Sequence, residues 1–386
     1  MSSHSGEPNS FLEDKNNEYS ISYYDYFTTE ECTGFGWDLS NHTQDDLQPC
    51  TVNSTEFLVL TLIIQPIVAV LGILGNVAFM FIVWKEPHMR NNMNLILLNL
   101  AVADLLYLLV GVGEKFVNSV TSPVSGDCTV FGRVGQCFII NPLISVASFT
   151  SLFLVSFFSF ERYVAICTPM KHLLINGRKR TFYHIGLVWF SSFALTAIIL
   201  PTYSDFSTVC IKWPNETLYS NYPTQAAFCE TQTDIWIPVG EMVEIFAFFI
   251  ALLLNVVCFV KITSKLYGRK QFSFGGTPVY EDDPVRAQHR NSAHAATRML
   301  LINGIAFFVL ATPFHLTSAI EFAEHIFSDW IFPCTFYKDL SVTLLYVNSA
   351  VNPYIYGVTN QFYRQAYRNM LCQKLPNRNP NNADVT

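Results

Sequence analysis

An acid and a base stand side by side where a long apolar run ends. Residues 134–160 carry no charge, and Glu161 and Arg162 follow at once, in SFERYVAICTP. An arginine at a bilayer edge is costly unless its charge is met locally, and Glu161 is one residue away. Breaking such a pair would free a long cationic side chain to reach elsewhere. The bland alternative is a fixed pair whose stems snorkel along the bilayer edge. A second charge, Asp104, stands alone in LNLAVADLL. Asn76, Ser151, Asn348, Ser349 and Asn352 are neutral polar residues able to converge on it. A carboxylate among neutral oxygens suits a small hard cation such as sodium; the alternative is a protonated, hydrogen-bonded acid.

The elements that must position these groups follow from composition. Of 386 residues, 51% are hydrophobic and 14% charged, against about 25% charged in soluble domains. Seven segments reach the roughly 20 apolar residues a membrane span needs: Phe57–Trp84, Asn94–Gly113, Val134–Ile166, Thr181–Thr202, Ile235–Lys261, Met299–Glu321 and Leu340–Val358. The fold class is an all-α membrane protein, a seven-transmembrane helix bundle. With residues 1–56 outside, 18 of the 23 Lys and Arg fall on the inner side, which fixes N-out, C-in. The sequons at Asn41, Asn53 and Asn215 then all lie outside, as do seven of the ten cysteines. Disulfides are expected there, and an odd count leaves at least one cysteine unpaired within the chain.

Three regions result. Residues 1–56 read as a glycosylated, acidic, mostly disordered tail without an apolar leader, so the first span is expected to act as its own insertion signal. Residues 57–358 form the bundle. In residues 359–386, Phe362, Ala366 and Met370 repeat at spacing four, with Arg364 and Arg368 on another face. That is a short amphipathic C-terminal helix lying on membrane lipid, with Cys372 a palmitoylation candidate beside the alternative of an unmodified thiol. A hairpin is expected in the long outer loop from Tyr203 to Asp234. Pro66, Pro142, Pro313 and Pro353 interrupt the spans; Asn352 is placed to re-satisfy the carbonyl freed by Pro353.

These motifs, in order and at this spacing, resemble the class A, rhodopsin-like G-protein-coupled receptors: Gly75-Asn76, LAVAD ending at Asp104, Glu161-Arg162-Tyr163, Trp189, Pro313, and NPYIY from Asn352 and Pro353 to Tyr356. The resemblance covers about Phe57 to Cys372. It implies that Arg162 turns inward to form part of the pocket for the C-terminal helix of a heterotrimeric G protein, with Glu161 as its resting partner. It also implies a disulfide between Cys137 and Cys229; Cys50 with Cys334 is a further expectation. An allosteric sodium ion at Asp104 is the one cofactor it suggests. Ile144 stands where an amine receptor would need Asp, and the seventh span lacks the lysine of a light sensor. The remaining resemblance is to the peptide-receptor branch, nearest the neuromedin U and pyrokinin-type receptors, through ERYVAICTPMK, AAFCETQTDIWI, PFH and YVNSAVNP.

Charge points to the ligand. Glu114, Glu241, Glu244, Glu321 and Glu324 fall in the outer third of the spans, His315 lies deeper, and the tail holds ten acids against one Lys before Glu56. A negative funnel attracts a cationic peptide; the alternatives are interfacial acids that aid solubility, and a small-molecule or lipid ligand. Tyr23-Tyr24-Asp25-Tyr26 is a possible sulfation segment. The chain also departs from the family. Ala311 replaces the usual tryptophan of the sixth span, Ala251 the usual proline and Phe259 the usual tyrosine of the fifth, so Phe307 is expected to carry more of the packing change. From Asn360 onward the sole Ser or Thr is Thr386. That implies weak or transient arrestin engagement, with Ser273, Thr277 and Ser292 as nearby options. Internal repeats and half-helices of a transporter are absent, as are a metal-ligand pair or a Ser/His/Asp set within the spans. An enzyme and a nucleic-acid partner are therefore not expected. The expected location is the plasma membrane.

Overall fold

A computed structural model describes residues 24–28, 32–40, 52–170, 172, 177–233, 235–272, 284–327 and 336–371. Among the described residues four strands occur, β1 Tyr24–Thr28, β2 Thr33–Asp38, β3 Asp205–Lys212 and β4 Gln225–Glu230. The helices are α1 Thr55–Lys85, α2 Asn92–Thr121, α3 Arg133–Cys167 and α4 Arg178–Thr202, then α5 Trp236–Phe272, α6 Pro284–Phe327, α7 Phe336–Thr359 and α8 Gln361–Leu371. Among the described residues, α1 to α6 each contain a stretch long and apolar enough to cross a membrane. At 24 residues α7 has the length as well, but Lys338, Asp339, Asn348, Ser349 and Asn352 dilute its apolar character.

Local chemistry sets the helix starts. The Ser54 hydroxyl accepts from the Phe57 amide at 3.2 Å, and Asn91 accepts from the Asn94 amide at 2.9 Å; both are side-chain N-caps. Pro66 and Pro142 each follow a π-helical turn, Leu60–Ile64 and Arg133–Ile140. A widened turn there absorbs the missing proline donor. Where helices press together, small residues make room. A Cβ on Gly72 would sit 2.8 Å from that of Ala350, which brings α1 against α7, and a Cβ on Gly304 would collide with the Phe259 ring of α5. Lipid-facing positions such as Phe190 and Leu253 stay exposed while Phe79, Leu97, Ala147 and Leu154 are fully buried.

The described chain divides into two compact units. The larger is the bundle. The smaller contains β1, β2 and most of β3. The order in the sheet is β1-β2-β3-β4; β1 is antiparallel to β2, and β2 runs parallel to β3 with Gly36 opposite Cys210. A Cβ at Gly36 would run into the Cys210 carbonyl, so only glycine allows this approach. Cys32 is bonded to Cys210, and Lys212 Nζ reaches Asp38 Oδ2 at 2.7 Å. Within the tail, residues 24–28 and 33–38 thus form strands. The acidic composition hid two short aromatic-rich segments, YDYFT and TGFGWD, whose residue types favour strands. The expected outer-loop hairpin supplies β3 and β4.

The face of α8 is corrected too. Tyr363 is buried, and Ala366, Tyr367 and Met370 pack beside it on the bundle, whereas Phe362 is exposed. Tyr363 and Tyr367, four residues apart, share with Ala366 and Met370 the face turned toward protein. Cys372, Asn41, Cys50, Cys334, Tyr23, Ser273 and Thr277 lie outside the described residues.

Candidate functional site

The deepest polar knot gathers around Asp104 of α2, itself 1% exposed. Ser151 Oγ of α3 donates to its Oδ1 at 3.1 Å, and Asn352 Nδ2 of α7 to its Oδ2 at 2.7 Å. Asn352 therefore serves Asp104, not the carbonyl freed by Pro353. Asn76 stands one layer off: its Nδ2 donates to the carbonyls of Gly72 and Ser349, at 3.0 and 3.1 Å, and ties α1 to α7. The buried Asn348 Oδ1 has no hydrogen-bond partner. The Ser151 and Ser349 hydroxyls bond the carboxylate and share a cavity wall with the orphaned Asn348 oxygen, and this donor set fits a hard cation.

Directly outward lies a cavity of about 100 Å³. Ser151, Asn348 and Ser349 face it from the knot; Tyr107, Glu244, Ala311 and His315 face it from elsewhere. Ala311 is buried at 1% exposure, and its methyl group leaves open the space a tryptophan would fill. Beside it, Phe248 stacks on His315 at 4.0 Å, and Phe307 meets Phe308 edge-on at 5.3 Å. The His315 Nδ1 is buried without a partner.

The expected acids divide. Glu114 Oε1 accepts from Asn118 at 2.6 Å and from Gln136 at 3.1 Å, so its carboxylate is already engaged. Glu321 is paired with Lys338 at 2.8 Å. Glu241 is half-buried on the same helix as Glu244. Glu244 alone lines the cavity, and among the described residues it has neither hydrogen bond nor ion pair.

The outer rim is tied by Cys137–Cys229, which joins the start of α3 to β4. Next to it, Asp127 Oδ1 accepts from the amides of Thr129 and Ala227, at 3.0 and 3.1 Å, and from the Thr129 hydroxyl at 2.5 Å. Burial raises the Asp127 carboxyl, but these donors outweigh it and hold it below its ordinary value. Cys128 is a free, buried thiol that burial pushes up to about 11, so it is protonated and unreactive. Asn53 is half-buried, its amide donating to the Ser122 carbonyl at 3.0 Å; Asn215 is exposed.

At the inner end the expected pairing is replaced. Glu161 binds Arg180 of α4 at 3.0 Å, not Arg162. Arg162 lies over the Phe158 ring at 5.9 Å, its Nε buried without a partner. One residue's separation on a helix points neighbouring side chains about 100° apart, whereas α4 brings Arg180 alongside. Tyr163 stands beneath Lys261 at 5.6 Å. Two contacts escaped sequence reasoning. Arg298 of α6 donates to the Thr359 carbonyl at the end of α7, at 2.6 Å, and the Tyr363 hydroxyl of α8 donates to Asn94 of α2. Nothing local marks either pair; each joins segments far apart in sequence. Tyr356 is buried between Phe79 and Tyr363, and its hydroxyl is unpartnered. Phe259, packed on Gly304, offers it no oxygen. Trp189 Nε1 donates to Asn99 at 3.2 Å, pinning α4 to α2.

Comparison with known proteins accords with this arrangement. The human thyrotropin-releasing hormone receptor is 28% identical over 365 residues, 90% of this chain and 87% of the relative. Mouse neuromedin-U receptor 2 is 27% identical over 312 residues, 80% of this chain and 74% of the relative. A neuromedin U receptor homologue of Caenorhabditis elegans is 24% identical over 336 residues, 81% and 79% of the two chains. Residues 75–356, which hold the Asp104 knot, the cavity and the Glu161–Arg162 segment, match the rhodopsin family of seven-transmembrane receptors, and the chain belongs to that family.

Proposed function

We propose that this chain is a plasma-membrane receptor whose agonist is an extracellular cationic peptide and whose output runs through heterotrimeric G proteins. The relatives are receptors for thyrotropin-releasing hormone and neuromedin U, both peptide messengers. The observation that carries the cationic part is Glu244: it faces the cavity and, among the described residues, has neither hydrogen bond nor ion pair. A drug-sized ligand fills roughly 300–1,000 Å³. A cavity of about 100 Å³ takes only a small part of a ligand, such as one cationic head group. Most of the ligand must bind farther out, which suits a peptide better than a small molecule or lipid.

An agonist that prefers one of two bundle arrangements shifts their populations. Opening the inner end requires α6 to leave α7, and the Arg298–Thr359 bond must break. Arg162, which makes no salt bridge among the described residues, is then free to meet the G protein. By linkage, the G protein raises agonist affinity by the same factor. Asp104, Ser151, Ser349 and Asn352, with the Asn348 carbonyl, would hold a sodium ion; when bound, it offsets the carboxylate charge and favours the arrangement that keeps these side chains together. Arrestin engagement is expected to be weak, since residues 360–385 carry no Ser or Thr to phosphorylate. Stable recruitment that survives mutation of Ser273, Thr277 and Ser292 would contradict that. The ligand test is charge reversal. Glu244→Lys should shift the response to a basic peptide in cells to roughly thirtyfold higher concentration; a response left unshifted would point to an uncharged ligand.

A further inference from the structure

The smaller unit holds a site the receptor reading does not use. The chain from residue 211 to 224 is closed by the Ile211 amide donating to the Thr224 carbonyl at 2.8 Å. Inside it, Trp213 stacks on Tyr219 with centroids 5.6 Å apart and planes 4° from parallel. Tyr222 meets both rings edge-on, at 5.1 and 5.3 Å. The indole Nε1 donates to the Pro223 carbonyl at 2.9 Å and fixes the ring. These rings wall a pocket of about 500 Å³, and Asn215 itself lines it.

Asn215 and Thr217 are exposed and belong to WPNET, a sequon with an aromatic residue two places before the asparagine. The Glu216 amide folds back to the Pro214 carbonyl at 2.8 Å, a tight turn centred on Asn215. A pyranose presents an apolar face of C–H bonds, which suits the electron-rich face of an aromatic ring, and a rim of hydroxyls. Lys212 and Glu216, on the same pocket wall, suit the rim. Because the acceptor asparagine lines the pocket, the first sugar needs no linker to reach it.

We infer that Trp213, backed by Tyr219 and flanked by Tyr222, is the platform for the first N-acetylglucosamine of an N-linked glycan on Asn215, and that this sugar holds the loop in shape. The inference rests on the loop being extracellular, as the receptor reading has it, but it requires neither agonist nor G protein. The test uses the full chain made in cells that attach high-mannose glycans. Glycopeptide mass spectrometry reads the occupancy of Asn215. Hydrogen exchange at the Ile211, Tyr219 and Tyr222 amides is then compared among the intact glycoform, the form trimmed by endoglycosidase to a single sugar, and Asn215→Gln.

The expected result is an occupied Asn215, with exchange slowed several-fold and equally by the whole glycan and by one sugar. Thr217→Ala, which breaks the sequon and keeps the asparagine, should behave like Asn215→Gln. Trp213→Leu should erase the benefit of the single sugar. If that variant unfolds the loop, the glycoform comparison stands without it. A bare Asn215, protection that needs the whole glycan, or exchange indifferent to the sugar would each overturn the inference.

Discussion

Arg180→Ala tests what keeps Glu161 from closing on Arg162. In the structure Glu161 is committed to Arg180 at 3.0 Å, and the two side chains are 13% and 25% exposed. Removing the arginine leaves a largely buried carboxylate unpaired, with Arg162 as the nearest cation in sequence. Glu161 should turn to it, and the receptor then acquires the restraint this arrangement lacks. Exposed ion pairs contribute about 0.2–1 kcal/mol; partial burial puts this one near the upper end. About 1 kcal/mol is roughly a fivefold change in a two-state ratio. Ligand-free nucleotide exchange on a G protein, measured with purified receptor in lipid discs, should therefore fall about fivefold in Arg180→Ala. Glu161→Gln should change it far less, because Glu161 makes no salt bridge to Arg162 and attracts it only at longer range. Unchanged or faster exchange in Arg180→Ala, or a large rise in Glu161→Gln, would refute the reasoning and restore Glu161 as the partner of Arg162.

Three further outcomes follow from the geometry. Asp104→Ala strands the Asn352 amide and should cost about 1–3 kcal/mol in thermal unfolding, while also removing any sodium dependence of agonist affinity. Glu244→Lys should weaken a basic peptide by about 2 kcal/mol or more, roughly thirtyfold in Kd by competition binding. Glu321→Lys should do much less, because Lys338 already neutralises Glu321. Asp127 is held below its ordinary value of 3.8, so its charged form stabilises the fold above that pH, and the contribution is lost as pH falls through the lower folded value. Asp127→Asn should thus destabilise by about 1 kcal/mol at neutral pH, a gap that closes on acidification below that window; a gap independent of pH would remove the charge from the account.

The bundle was legible because a span must be long, apolar and internally hydrogen-bonded, and those demands are written locally. The Asp104 knot was legible for a related reason. Few polar residues are tolerated in lipid, so those present had to meet. What escaped depends on which distant side chains come together. Glu161 has Arg162 beside it in sequence, yet α4 supplies Arg180. Glu114, Glu244 and Glu321 look alike in a string of residues, and only packing shows that Gln136 and Lys338 occupy two of them. The strands of the tail were obscured by acidic neighbours, and the parallel pairing with β3 depends on Gly36, whose partner lies far along the chain. Phe362 misled because a spacing of four fits either face of a short helix.

In the proposed function Arg162, without a salt bridge among the described residues, couples an outer cationic ligand to a G protein. The most direct measurement of that coupling is G-protein dissociation in cells expressing this chain, first without ligand and then with a panel of basic peptides, against Arg162→Ala at equal surface level. The expected result is a basal signal, a further response to at least one peptide, and loss of both in Arg162→Ala. A signal that persists undiminished in Arg162→Ala would contradict it.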